Sequence, residues 1–343
     1  MINIGLVGLG FMAATHLRAY RQVKGARVAA LCNPSGRHLD GDFTNVAGNV
    51  GATDPVVLDM AGVKATKHFP DLLADRGLQA IDICAPTKAH AELAIAALNA
   101  GKHVLCEKPL ARTSATAKQI VDSAARSKGI FMPAMCLRFW PEWAWLREAI
   151  ASGRFGKVLS ARFRRVAEPP GWGRNTFFNG AESGGALFDL HVHDTDFVNF
   201  CFGRPRSVFS TGYQKFSGAV DHVVTQYDVP GGAIVHAEGS WAMSPGFGFN
   251  MSYTVNFERA TADYDLARGK EALKLSEEGQ SPRIVAMAAD PPDGYVGELR
   301  HFVECILNGR APSVVTARDG LASIEICEAE ERSVNTRQIE TLQ

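Results

Sequence analysis

The sequence carries no excess charge of either sign: 36 Lys and Arg balance 36 Asp and Glu over 343 residues. Without a net positive field, neither nucleic acid nor an anionic membrane surface is an expected partner. No run of five like charges occurs, so a solvated charged tail is excluded as well. No stretch reaches the roughly 18 uninterrupted apolar residues that a membrane span requires. The N-terminal "MINIGLVGLG" lacks the basic region and long apolar segment of a secretory signal. The seven cysteines include no C-x-x-C pair, which points to reduced thiols in a cytoplasmic protein. Cys32, Cys84, Cys106 and Cys136 fall in or at the ends of expected strands, where cysteine acts as a small apolar residue. None has a local base beside it, so a catalytic thiol is not expected.

What is present is ordinary globular composition, 46% hydrophobic and 21% charged, in a chain long enough for two domains. "INIGLV" (2–7) is a short apolar run suited to a buried parallel strand. It leads directly into Gly8-Leu-Gly10-Phe11-Met12-Ala13, a G-x-G-x-x-A loop, and then the helical pattern "FMAATHLRAYRQV". Gly8 permits the tight turn, Gly10 lets the backbone approach a pyrophosphate, and Ala13 lets the helix pack against the strand. The strand before and the helix after supply the context that makes this loop a dinucleotide site.

The alternation continues. Strands are expected at 26–33, 65–69, 79–86, 102–107 and 130–137, with helices between them at "PDLLADRG", stopped by Gly77, at "KAHAELAIAALNAG", stopped by Gly101, and at "SATAKQIVDSAARSKG". Such a series forms a doubly wound parallel sheet, whose ligands bind beyond the carboxyl ends of the strands. Asn33, Pro86-Thr87 with nearby His90, and Glu107-Lys108-Pro109 then share one rim with Gly8, Gly10, Phe11 and Met12. The end of the second strand bears on cofactor choice. An NAD enzyme usually carries an acidic residue there to bind the ribose hydroxyls, and this chain has Asn33. Ser35 and Arg37, next in "CNPSGRH", are placed to bind a 2′-phosphate, so the reading is NAD(P) with NADP favoured. The competing reading makes both plain turn residues. Residues 36–63, rich in Gly and Asn, argue against a regular helix, and cover either the adenosine end or another subunit.

The later segments "SVFSTGYQKF", "DHVVTQYDV", "GAIVHAEGSWAM" and "MSYTVNFERATADYDL" alternate β-branched or aromatic with polar residues, the pattern of an antiparallel sheet with one exposed face. "YVGELRHFVECILNG" and "DGLASIEICEAEERS" read as amphipathic helices.

The segments "GLGFMAATH", "PTKAHAELAIAALNAGKHVLCEKPLA", "RFWP" and "SGGALFDLHVHDTDFV" resemble, in order, those of the Gfo/Idh/MocA family. The resemblance spans nearly the whole chain. It implies an α/β protein: an N-terminal Rossmann domain with a doubly wound parallel sheet (1–134), then an α/β domain with an open, mostly antiparallel sheet (135–343). It also implies a nicotinamide-dependent oxidoreductase acting on a secondary hydroxyl of a sugar, polyol or inositol-like substrate, assembled as a homodimer or homotetramer. Two departures from the family pattern, Asn33 and the long 36–63 segment, bear on cofactor preference.

In that pattern the aspartate and the histidine four residues later carry chemistry, here Asp189 and His193. If 186–200 is helical, positions i and i+4 share a face, and both side chains can reach one ligand. A neutral His suits removal of the hydroxyl proton, with Asp189 orienting the substrate or His193. Lys108 would supply positive charge where alkoxide develops, or relay the proton. Arg138, in "RFWP", lies near the nicotinamide in the family layout. Arg162, Trp172, Arg174 and His191 are candidate substrate contacts, the alternatives being an exposed strand, a packing Trp and a buried His. A metal held by Asp189, His191 and His193 is disfavoured, because i and i+2 diverge on a helix, and no metal is expected. The remaining functional alternatives are a tightly bound NAD recycled in net hydrolysis or epimerisation, and a cofactor-sensing regulator without catalysis.

Overall fold

The computed structural model describes residues 1–48 and 54–342; residues 49–53 and 343, and the side chains of Trp172, Arg174 and Asn175, lie outside the described set. The chain divides into two compact units, Met1–Phe139 with Pro291–Leu321, and Trp140–Asp290 with Ala322–Gln343. The single boundary expected at 134/135 is therefore corrected. The chain returns to the first unit because the helix Gly294–Asn308, capped by Asp293, buries Leu299, Phe302 and Val303 against helix α1 (Phe11–Tyr20) and the turn Cys136–Phe139.

The first unit holds a parallel sheet of β1 (Ile2–Val7), β2 (Ala26–Cys32), β3 (Lys64–Thr66), β4 (Ala80–Ile83), β5 (His103–Glu107) and β6 (Phe131–Ala134). Their order is β3-β2-β1-β4-β5-β6, so the direction of winding reverses between β1 and β4. A reversal of this kind opens a crevice at the carboxyl ends of the strands. Helices α2 (Phe69–Ala74), α3 (Thr87–Asn99) and α4 (Ser114–Arg126) complete the alternation. Helix α3 is followed by Gly101 at φ +76°. Helix α2 ends before the Gly77 expected to stop it, because the Asp75 carboxylate accepts the Gly77 N–H at 2.8 Å. That local bond competes with the helical ladder.

The second unit holds β7 (Val158–Ala167), β8 (Ser207–Tyr213), β9 (His222–Asp228), β10 (Ile234–Ser240), β11 (Phe249–Phe257), β12 (Ala260–Asp265), β13 (Leu273–Glu277), β14 (Arg283–Ile284) and β15 (Glu340–Thr341). They form one sheet in the order β14-β13-β12-β11-β7-β10-β9-β8-β15, and among these pairs only β7 with β10 is parallel. One face is covered. Trp143, from the helix Pro141–Ser152, is fully buried against Phe163, Phe197, Tyr253 and Tyr264. The opposite face presents Leu159, Phe209, Val224 and Ile234 to solvent. No helix among the described residues is long and apolar enough to cross a membrane, and all seven cysteines are free thiols. Burial raises the thiol pKa values of Cys32, Cys84 and Cys106, that of Cys32 to about 11, which disfavours their reactive thiolate forms.

Candidate active site

The carboxyl ends of β1, β4 and β5 form the rim of the first unit. Gly8 has φ +83°, and a Cβ there would stand 2.4 Å from the Ala85 Cα, so the turns after β1 and β4 touch backbone to backbone. Gly10 is different: a Cβ built on it meets nothing within 4 Å. Gly10 also caps α1, and it offers no side-chain cap to that helix N-terminus. Open space over a bare helix N-terminus suits a pyrophosphate, so a dinucleotide fits this loop. Phe11 and Met12, half-buried, begin the helix. The Phe11 ring occupies the place of a missing Gly48 side chain, and Arg18 and Arg21 bind the Asp54 and Val57 carbonyls, so the described parts of 36–63 pack on α1.

The Asn33–Arg37 turn is closed by Gly36 N–H to the Asn33 carbonyl at 2.9 Å and by Asn33 Nδ2 to the Arg37 carbonyl at 2.9 Å. The Ser35 and Arg37 side chains are exposed. Lys67, not anticipated from sequence, lies over this turn, its Nζ 3.2 Å from where a Gly36 Cβ would be. Pro86 and Thr87 open α3 beside the rim.

From Val104 to Ala111, Lys108 is the one residue not buried. The neighbours expected to contact cofactor turn inward instead. Glu107 points into the unit: its Oε1 is 3.1 Å from His16 Nε2 and its Oε2 accepts the Lys108 N–H at 3.0 Å. His90, 1% exposed, sits between the Pro109 carbonyl at 2.9 Å and the Ala85 carbonyl at 2.8 Å. Burial pushes its pKa below the ordinary value despite those two acceptors. It ties two rim turns together from beneath. Arg138 is 3% exposed, donating to the Val314 carbonyl at 2.8 Å and standing 3.4 Å from Asp319, so it braces the returning segment. For all three the expected cofactor contact is corrected to support from below, because each polar head finds its partners inside the fold.

Beneath the rim lies a buried cluster that sequence reasoning missed. His16 Nδ1 is 2.8 Å from Asp82 Oδ2, which also accepts the Tyr20 hydroxyl at 2.9 Å. Glu298 approaches His16 and Glu107 within 4.8 Å, and neither of its oxygens has a hydrogen-bond partner. Burial, then the Glu107 charge, pushes the Glu298 carboxyl well above the usual carboxylate range. Burial alone would discharge His16; Asp82 reverses that and raises its pKa well above 6.5. The available signal was Asp82 itself, a carboxylate in an otherwise apolar buried strand.

In the second unit, the 186–200 segment is helical but not uniform. Leu187–His191 is a π-helical turn that passes into the α-helix Val192–Phe202. Such turns are wider than α turns by about one residue and occur often at functional sites. Two tight turns set its start. A Gly185 Cβ would lie 2.5 Å from the Val220 carbonyl oxygen, and Leu187 N–H donates to that carbonyl at 3.2 Å. The Val220 turn is held by Asp221, which accepts Trp241 Nε1, Ser217 Oγ and the Lys215 N–H, each at 2.6 Å. Burial opposes ionisation of Asp221, but these donors outweigh it and lower its pKa.

Every residue from Ser183 to Val198 is buried except Asp189 and His193. These two side chains alone leave the core. His191, expected to touch substrate, is fully enclosed: Nε2 meets the Tyr227 hydroxyl at 3.1 Å, and the ring fills the place of a Gly239 side chain. This corrects its assignment and separates it from Asp189 and His193 as ligands of one metal. Arg162 is corrected too. Along the middle of β7 the buried positions alternate, Ala161, Phe163 and Arg165, before Val166 and Ala167 are buried as well, and Arg162 faces the open side of the sheet. Arg165 faces inward, to Asp194 of the segment itself. Strand alternation sets the difference. Trp172 and Arg174 are among the side chains outside the described set.

Residues 2–135 match the model described as "GFO_IDH_MocA: Oxidoreductase family, NAD-binding Rossmann fold", and 143–263 match that family's C-terminal domain. The chain belongs to the GFO/IDH/MocA family of oxidoreductases. Among relatives of this family member is an inositol 2-dehydrogenase of Rubrobacter xylanophilus, 27% identical over 100% of this chain and 94% of that protein. A scyllo-inositol 2-dehydrogenase (NAD(+)) of Bacillus subtilis is 26% identical over 94% of this chain and 90% of its own. A levoglucosan dehydrogenase in complex with NADH and levoglucosan superposes with a TM-score of 0.85 at 21% identity, over 100% of both chains, which shows the shared fold.

Proposed function

We propose that this oxidoreductase interconverts a secondary hydroxyl and a ketone on a polyol, inositol or sugar, with NAD(P) as cofactor and Lys108, Asp189 and His193 as its catalytic residues. The observation that carries the reading is selective exposure: Lys108 alone emerges from 104–111, and Asp189 and His193 alone from 183–198. A cation, a carboxylate and an imidazole kept accessible in otherwise buried segments are the groups an alcohol oxidation needs. The dinucleotide, when bound, supplies the redox partner. His193 removes the hydroxyl proton, Lys108 stabilises the negative charge developing on oxygen, and Asp189 orients the substrate or His193. The inositol dehydrogenases among the relatives support the substrate class.

The test is a panel of inositols, sugars and polyols assayed with NAD and with NADP at the nicotinamide absorbance. Lys108→Met and His193→Ala should each lower kcat by about a hundredfold or more with dinucleotide binding nearly intact. Near-normal turnover in either folded variant removes that residue from the mechanism. Dinucleotide retained through purification, without net turnover of added cofactor, would point instead to recycling of a bound one.

The open sheet face carrying Leu159, Phe209, Val224 and Ile234 supports a homo-oligomer, dimer or tetramer, that covers it. A monomeric mass by light scattering at micromolar concentration would contradict this. Seven free thiols fit a cytoplasmic location.

A further inference from the structure

We propose that His16, acting through Glu107, is a positioning residue for Lys108; this rests on the reading of Lys108 as catalytic. The Glu107 carboxylate has two separate tasks. Its Oε2 holds the Lys108 backbone N–H at 3.0 Å, and its Oε1 is 3.1 Å from His16 Nε2. The orientation of Glu107 therefore sets the start of the turn that presents Lys108. Something must fix that carboxylate in turn, and His16 is its side-chain partner.

His16 is itself held from the other side. Its Nδ1 meets Asp82 Oδ2 at 2.8 Å, and Tyr20, one helical turn further along α1, donates to the same oxygen at 2.9 Å. The Cys84 thiol lies 3.5 Å from Nδ1, and Glu298 closes the remaining side of the cluster. Asp82 faces one ring nitrogen and Glu107 the other, so the ring is placed to donate to a carboxylate from each side, and Asp82 raises its pKa. Charge-assisted bonds in a dry interior are directional and strong. They link α1, whose first turn begins at the glycine loop, to β4 and to the residue before the lysine. A ring serving only to fill space would need no carboxylate at each nitrogen.

The two ring nitrogens can be replaced separately. An asparagine amide reaches about the position of Nδ1 and keeps a donor to Asp82, whereas a glutamine amide reaches that of Nε2 and keeps one to Glu107. The inference expects kcat to fall about tenfold in His16→Asn and only two- to threefold, roughly, in His16→Gln. The KM for substrate and the dinucleotide Kd should stay near their original values in both. Glu107→Ala should match His16→Asn, and the double variant should fall no further, because both remove one coupled unit. Activity that tracks thermal stability, equal losses in Asn and Gln, additive losses in the double variant, or full turnover in His16→Asn would each overturn it. Should Glu107→Ala fail to fold, the Asn and Gln pair decides alone. Lys108→Met separates the two readings. Normal turnover there overturns the catalytic reading and the inference with it. An inactive Lys108→Met beside a fully active His16→Asn overturns the inference alone.

Discussion

Arg165 lies with Nε 2.8 Å from Asp194 Oδ2 and Nη2 3.4 Å from Oδ1, both side chains enclosed between β7 and the helix that follows His191. The pair fixes the helix to the sheet directly after His193, and the guanidinium stands 5.6 Å from the Trp143 ring centre. Burial raises the Asp194 pKa, and Arg165 only partly offsets it.

Arg165→Met should therefore cost about 3 kcal/mol at neutral pH, since it strands a buried carboxylate. The deficit should shrink in acid, where Asp194 takes up a proton. Arg165→Met/Asp194→Leu should recover much of the loss by removing the stranded charge. Urea unfolding of the three variants at two pH values checks this. A single variant as stable as the original protein would show that the pair holds nothing.

The two rim glycines should behave in opposite ways. Gly8→Ala forces a Cβ to within 2.4 Å of the Ala85 Cα at φ +83°, so it should destabilise the first unit by about 2 kcal/mol or more. Gly10→Val meets open space in the protein and should leave stability within about 1 kcal/mol. It should weaken dinucleotide binding at least about tenfold, because the side chain fills the approach the backbone leaves open. Thermal unfolding and fluorescence titration separate the two effects. Unchanged affinity in Gly10→Val would mean another loop binds the cofactor.

The parallel sheet and the half-buried pair Asp189 and His193 were legible because each rests on short-range pattern. The apolar runs, the glycine loop and a four-residue spacing survive folding unchanged. Even the π turn keeps His191 on the side away from its two neighbours. What was not legible depends on contacts between distant residues. Glu107 and His90 stand at the rim in sequence, yet His16, Ala85 and Pro109 supply their partners. Arg162 and Arg165 are indistinguishable in "ARFRRV" until the sheet has an inside. The return of 291–321 to the first unit could not be read from its amphipathic pattern, which says that a face is buried but not against what.

Glu298 makes stability depend on pH. Its carboxyl has a raised pKa, so the folded protein keeps a proton that the unfolded chain releases above about pH 4.3. For a raised acid, the contribution is most favourable below the unfolded value and is lost as pH climbs toward the folded one. Glu298→Gln stays neutral throughout and escapes that loss. The variant should match the original protein near pH 4 and exceed it in Tm near pH 8, with a flatter profile between. Parallel profiles for the two proteins would show that Glu298 holds no proton in the fold.

We predict that cofactor choice rests on the turn after β2. Asn33 removes the carboxylate that would repel a 2′-phosphate, and its Nδ2 is spent on the Arg37 carbonyl, leaving Oδ1 for a ribose hydroxyl. The side chains of Ser35 and Arg37 are exposed, and Lys67 lies over Gly36 in the same turn. Two cations and a hydroxyl at this position suit a phosphate better than two ribose hydroxyls. Arg37→Ala and Lys67→Ala should then each weaken NADP by about 1.5–3 kcal/mol, a loss of roughly ten- to a hundredfold, and leave NAD almost unchanged. Asn33→Asp should move the preference toward NAD by restoring the repulsion. Dissociation constants for both dinucleotides on the original protein and the three variants decide the matter. Equal losses for the two cofactors, or none, would make Arg37 and Lys67 solvent-facing turn residues and the enzyme an NAD-preferring or indifferent one.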